Sequence, residues 1–148
     1  MLQSTVLVDA GYWVALARAD DDLHSRAVAW QRLADERGTR LVTVDWMLVE
    51  LLRVLASPRL RIPRTQALQV VAAVRAEPSL RIVHVDPGLR DKAWGVLAAQ
   101  PDRQWSWTDA AAFEVMRAEG LTQVLGYDKH FIEAGFDALL RAESSAYA

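Results

Sequence analysis

Short runs of consecutive apolar, largely β-branched residues alternate along the chain with longer stretches in which apolar positions recur every three or four residues. The runs at 5–8, 41–44, 81–85 and 122–126 are bounded by turn-forming residues and carry almost no polar alternation, which predicts strands buried on both faces. Between them the helical period predicts helices over 11–19, 23–37, 46–56, 63–76, 87–99 and 107–119, the second with Ala27, Trp30, Leu33 and Ala34 on one face. Punctuation agrees: Gly38 stops the second helix, Asp45 caps the third and Pro58 ends it, Pro63 opens the fourth and Pro78 closes it. Asp86-Pro87 starts the fifth, Ser106 or Thr108 starts the sixth, and Gly120 ends it. Strands alternating with helices predict an α/β fold with a mostly parallel central sheet of four to five strands and helices on both faces. Residues 136–141 add a candidate edge strand, so one domain spans 1–141, with 142–148 expected to fray.

Composition narrows this further. A chain of 148 residues that is 52% hydrophobic suits one domain burying about 68–70% of its unfolded surface. The absence of cysteine excludes disulfides, thiolate zinc sites and cysteine nucleophiles, and fits a reducing cytoplasm. No apolar run approaches the roughly 18 residues of a membrane span, and the first residues lack a secretory signal, so a cytoplasmic protein is expected. With a net charge of −2, any nucleic-acid contact must come from a local basic patch. Fifteen of the 17 basic residues are Arg, suited to bidentate phosphate or carboxylate pairing, although a GC-rich genome produces the same bias.

Four acidic residues change the picture. Asp9 and Asp128 directly follow strands, where open parallel sheets bind ligands, although each taken alone reads first as an N-cap. Asp109 falls in the first turn of its helix, in a Ser106-x-x-Asp109 capping pattern. Glu50 interrupts a near-continuous apolar stretch from 46 to 55, which predicts burial at a cost of several kcal/mol unless the carboxylate is paired or metal-bound; its local partner is Arg53. The remaining acids read as structural: Asp20 to Asp22 form a loop run with Asp22 a cap, Asp45 and Asp86 cap helices, and Asp35-Glu36 are exposed. A carboxylate quartet without thiols points to a hard cation, Mg²⁺ or Mn²⁺, and to hydrolysis of a phosphodiester.

The order Asp9, Glu50, Asp109, Asp128, set in VLVDAGYWVAL, VTVDWMLVELL and SWTDAAAFEVMRAEGLTQVLGYDKHFIEAGF, resembles the PIN-domain nucleases, in particular VapC-type toxins of bacterial toxin–antitoxin pairs. The likeness covers nearly the whole chain and is most specific in its C-terminal part. It implies a single PIN-like domain acting as a metal-dependent endoribonuclease, with these four residues as the acidic pocket and a cognate antitoxin as partner. Asp9 and Asp109 are then the firmest ligands, with Glu50 and Asp128 holding waters or a second ion. The family's frequent hydroxyl after the first Asp is replaced by Ala10-Gly11, and its frequent Thr two before the last acid is Gly126, which predicts poorer orientation of the ligands and lower or metal-selective activity. A dehalogenase-like or receiver-type phosphoacceptor is disfavoured, because position 11 is Gly and the third strand offers only Asp86.

RNA contacts are expected from Arg59, Arg61 and Arg64, from Lys129 beside Asp128, and from Thr108 beside Asp109; His130 is a further phosphate candidate, although a lone His there is more often a surface residue. Trp13, Trp30 and Trp46 have core-like spacing, whereas Trp105 and Trp107 flank the Asp109 helix, where base stacking is a minority reading. Apolar faces on the first three helices are candidates for homodimer or antitoxin contact. The competing reading is a non-catalytic PIN-like module binding RNA or protein, with Ala10 and Gly126 as signs of decay.

Overall fold

A computed structural model describes all 148 residues. Strand β1 (Thr5–Val8) leads into α1 (Ala10–Ala17) and α2 (His24–Arg37); β2 (Arg40–Val44) into α3 (Asp45–Leu55) and α4 (Arg64–Arg75); β3 (Leu80–Val83) into α5 (Pro87–Ala99) and α6 (Trp107–Glu119). Then come β4 (Gln123–Leu125), the short α7 (Lys129–Glu133) and the two-residue β5 (Asp137–Ala138), followed by a 3₁₀ turn at Leu139–Arg141. The α/β class and helix placement agree with the sequence reading. The edge strand is shorter than expected because its chain turns into that 3₁₀ segment within two residues.

All strand pairs are parallel, in the order β3-β2-β1-β4-β5. The chain winds outward from β1 through β2 to β3, then crosses to the other side of β1 for β4 and β5. The order therefore reverses between β1 and β4, and the crevice beyond their carboxyl ends is where such sheets hold ligands. Asp9 and Asp128 follow those two strands.

The core explains why these strands are uninterrupted apolar runs: Val6, Leu7, Val8, Val42 and Val44 are fully enclosed between helices contributing Tyr12, Trp30, Leu51, Phe113 and Met116. Thr43 survives there because its hydroxyl donates to the Val8 carbonyl at 2.9 Å.

Three local expectations need correction. Asp45 is the first residue of α3 rather than its N-cap; its carboxylate accepts from the Trp46 and Val85 N–H groups and pairs with His84, tying α3 to the end of β3. Ahead of α2, Asp21 rather than Asp22 accepts from the Leu23 N–H. Residues 142–148, expected to fray, dock on α2 instead. The Trp30 indole N–H donates to the Ala142 carbonyl (3.0 Å), Tyr147 meets Trp30 edge-on at 5.0 Å, and Arg26 pairs with Glu143.

Candidate active site

Asp9, Glu50, Asp109 and Asp128 line one cleft of about 620 Å³ at the sheet's carboxyl edge. Each reaches it by a different local device. Asp9 leaves β1 in extended conformation and caps α1, with Oδ1 accepting from the Ala10 N–H at 3.0 Å. Asp109 completes a reciprocal capping box: its N–H bonds Ser106 Oγ while its Oδ2 accepts from the Ser106 N–H at 2.9 Å. Asp128 caps α7 through Oδ1, which accepts from the His130 N–H at 2.9 Å. The capping role and the pocket position therefore coexist, because a helix N-terminus at a strand end aims its cap residue into the crevice.

Glu50 departs from expectation. Helix α3 is amphipathic rather than apolar all round: Val49 is 70% exposed, and the Glu50 side chain is about a third exposed. Arg53 meets Glu50 Oε2 with Nε at 3.1 Å and Nη2 at 2.8 Å, so the burial cost inferred from the apolar run does not arise. What singles Glu50 out is the cleft it lines.

Sequence reasoning missed the bridging position of His130. Its Nδ1 stands 2.9 Å from Asp109 Oδ2 and 3.4 Å from Asp128 Oδ1. Both neighbours are acceptors, so Nδ1 carries the proton and bridges two acids that lie on different helices. A lone His in a turn has no periodic signal, and its partner Asp109 is 21 residues away in sequence.

One pattern unites the quartet. Asp9 Oδ1, Glu50 Oε2, Asp109 Oδ2 and Asp128 Oδ1 are held by protein donors, while the second oxygen of each takes no protein hydrogen bond. Asp45 differs, with both oxygens engaged, and burial is overcome by His84, Val85 and Trp46, which hold its carboxyl below the usual range. Electrostatics agree. Burial, with Asp109 and Asp128 as neighbouring charges, pushes Asp9 up from 3.8 to about 7. Burial also raises Asp109, against the opposing Ser106 and His130 hydrogen bonds. The cleft is therefore overloaded with anionic oxygen, and a hard divalent cation fits that donor set. The side chains do not close on one point as a group of three or more that could hold a metal ion.

Gly126 has a steric rather than a degenerative reason. A Cβ there would lie 2.9 Å from Asp9 Cβ and 3.4 Å from its Oδ2, so only glycine lets the end of β4 pass this close to the carboxylate.

Thr108 and Lys129 line the cleft, together with Arg53, Tyr127 and Arg141. Arg59 and Arg61 sit on and just after an exposed 3₁₀ turn (Pro58–Leu60), and Arg64 opens α4; none of the three lines the cleft. Trp105 packs on Phe113 and donates to Glu133, while Trp107 donates to the Arg90 carbonyl and meets Trp46 and Trp94.

The PIN domain model matches residues 6–137. The 23S rRNA-specific endonuclease VapC20 of Mycobacterium tuberculosis, in strains CDC 1551 and H37Rv, is 31% identical over 131 residues, covering 88% of this chain and 95% of the relative. The crystal structure of that protein, described as a sarcin-ricin loop cleaving toxin, superposes with a TM-score of 0.75. PAE2754 from Pyrobaculum aerophilum, 19% identical, shares the fold with a TM-score of 0.63 over 93% of this chain and 91% of its own. With the family model spanning residues 6–137 and a relative 31% identical over most of both chains, the chain belongs to the PIN-domain family.

Proposed function

We propose that the chain is an endoribonuclease, the toxin of a type II toxin–antitoxin pair, hydrolysing RNA with Mg²⁺ or Mn²⁺ held by Asp9, Glu50, Asp109 and Asp128. The observation that carries this is the quartet itself: four carboxylates in one cleft, each with one oxygen fixed by protein and one left over for a ligand. When bound, the cation supplies charge neutralisation at the phosphoryl group and an activated water. The protein's part is orientation. Ala10, Ser106 and His130 fix the rotamers of the three aspartates, and the Gly126 approach keeps Asp9 on the crevice floor. Similarity to VapC20 supports a structured ribosomal RNA loop as substrate.

The binding-module alternative loses one of its two supports, because Gly126 makes room for Asp9 and is not a mark of decay. Arg59, Arg61 and Arg64 are then contacts for phosphates remote from the scissile one. Of the helices proposed for protein contact, α1 is largely buried and α2 is covered by the tail, which leaves α3, with Val49 exposed, for an antitoxin or a second copy. No helix is long and apolar enough to cross a membrane.

The test is to incubate the antitoxin-free protein and its Asp109→Asn variant with ribosomal RNA and isolated sarcin-ricin loop in Mg²⁺, Mn²⁺ or EDTA, and to map the ends. Cleavage by wild type alone, abolished by EDTA, is expected. Equal cleavage by the variant, or none by a folded, metal-loaded wild type on any RNA, refutes the assignment.

A further inference from the structure

At the rim of the acidic cleft, Arg141 sits over the Tyr127 ring, its guanidinium carbon 4.2 Å from the ring centroid, while its Nε–H donates to the Tyr127 carbonyl at 2.6 Å. Tyr127 is the residue immediately before Asp128 and keeps 44% of its surface exposed. Neither Arg141 nor the neighbouring Lys129 has a carboxylate within ion-pair distance, although both line a cleft dominated by carboxylates. Every other pairing in this region is accounted for: Arg53 is taken by Glu50, and His130 by Asp109 and Asp128.

We infer that the Tyr127–Arg141 stack is a nucleobase platform that holds an unpaired base next to the scissile phosphate, with the Arg141 and Lys129 charges meeting the adjoining phosphates. This rests on the ribonuclease reading above and deepens it by naming the substrate feature recognised. The chemistry is specific. A guanidinium held over one face of an exposed aromatic ring leaves its own outer face for a base, and Arg presents both a π-face and phosphate-directed N–H groups. Pre-stacking fixes the Arg141 side chain before RNA arrives, so little further rotamer freedom is lost on binding. Bases in an RNA duplex are stacked within it and have no free face, so the platform selects loops and bulges.

The experiment measures equilibrium binding in EDTA, where nothing is cut, and cleavage in Mg²⁺. Wild type, Tyr127→Leu, Arg141→Lys and Arg141→Met are compared on a cleavable RNA loop and on versions with a single abasic nucleotide at each position flanking the cut. One abasic position is expected to cost wild type about ten-fold in affinity, within the range typical of a base–aromatic stack. Tyr127→Leu should lose a similar factor on the intact loop and be indifferent to that abasic site. Arg141→Lys, which keeps the charge but not the plane, should show most of the loss in KM rather than in kcat. Melting temperatures report folding, and should Tyr127→Leu unfold, the two Arg141 variants decide. Unchanged affinity and KM in every folded variant, or an abasic penalty equal in wild type and variants, overturns the platform while leaving the ribonuclease reading intact. Loss of binding to a copurifying protein with RNA binding preserved assigns the stack to a protein partner and also overturns it. A wild type that neither binds nor cuts RNA removes both readings.

Discussion

Gly126→Ala tests whether steric room, rather than a lost hydroxyl, explains glycine beside the acidic cleft. The new Cβ falls 2.9 Å from Asp9 Cβ, against the roughly 3.5–4.0 Å at which two carbons rest, so more than half an ångström of overlap must be relieved. The strands cannot simply part, because the Asp9 N–H is bonded to the Leu125 carbonyl at 3.0 Å and the Leu140 N–H to the Gly126 carbonyl at 3.1 Å. Backbone strain is not involved, since Gly126 is not among the positive-φ glycines; alanine even gains about 0.4–1 kcal/mol through the unfolded chain. Over-packing costs about 1–3 kcal/mol, so the net loss is about 0–2.6 kcal/mol, centred at about 1.3 kcal/mol, a melting temperature lower by roughly 3–5 °C at that centre. Activity should suffer more. Displacing a reacting group by 1 Å costs about 10²-fold, and a shift of several tenths of an ångström at Asp9 should cost at least about ten-fold in kcat with KM little changed. Gly126→Thr, which the family's frequent residue would suggest as a restoration, should be worse than Ala. Calorimetry with cleavage assays decides. An alanine variant that melts at or above wild type and cuts at the same rate refutes the steric argument.

The remaining predictions use the same structure. Because Asp9 titrates near 7 when folded and near 3.8 in its ordinary state, the folded metal-free protein holds more protons across that window, so its stability should fall as pH rises through it and level off above pH 7. The upper bound is on the order of 4 kcal/mol; denaturant titrations in EDTA should show this slope, and both Asp9→Asn and added Mg²⁺ should flatten it, whereas a rising stability would contradict the assignment. His130→Ala should weaken Mn²⁺ binding, read by paramagnetic resonance, by about 10–100-fold, with partial recovery in His130→Asn; unchanged affinity would dismiss its orienting role. Truncation after Arg141 should destabilise by roughly 2 kcal/mol, from the lost Trp30 hydrogen bond and aromatic contact, and raise Trp30 quenching by acrylamide.

The fold was legible because buried parallel strands impose an uninterrupted apolar run and helices a different period, and both signals are local. That Asp9, Asp109 and Asp128 meet in one cleft was legible for a related reason: topology brings strand ends and helix starts together, and the residue types there are constrained. Glu50 was found through the wrong argument, since the apolar run from 46 to 55 concealed a helix that turns Val49, Glu50 and Arg53 outward. His130, Gly126 and Arg141 were not legible. Their roles depend on what stands opposite in space: two carboxylates for His130, the Asp9 side chain for Gly126, and the Tyr127 ring for Arg141. Conversely, Arg59, Arg61 and Arg64 cluster in sequence and yet stand away from the cleft, because a short turn and the start of α4 point outward. The tail carried one overlooked local signal, an aromatic Tyr147 among small polar residues.

The crossing from β3 to β4 has a consequence for when the acidic cleft is complete. Asp9 and Asp128 become neighbours only when β4 closes against β1, a pairing between residues more than a hundred positions apart, and His130, which braces Asp109, arrives with the same segment. A chain in which β4 is not yet paired with β1 has no complete acidic pocket, whatever else of it has folded. The pocket is in this sense a property of the finished fold: the last third of the chain completes what the first begins, and the β1–β4 seam is the place where the two meet.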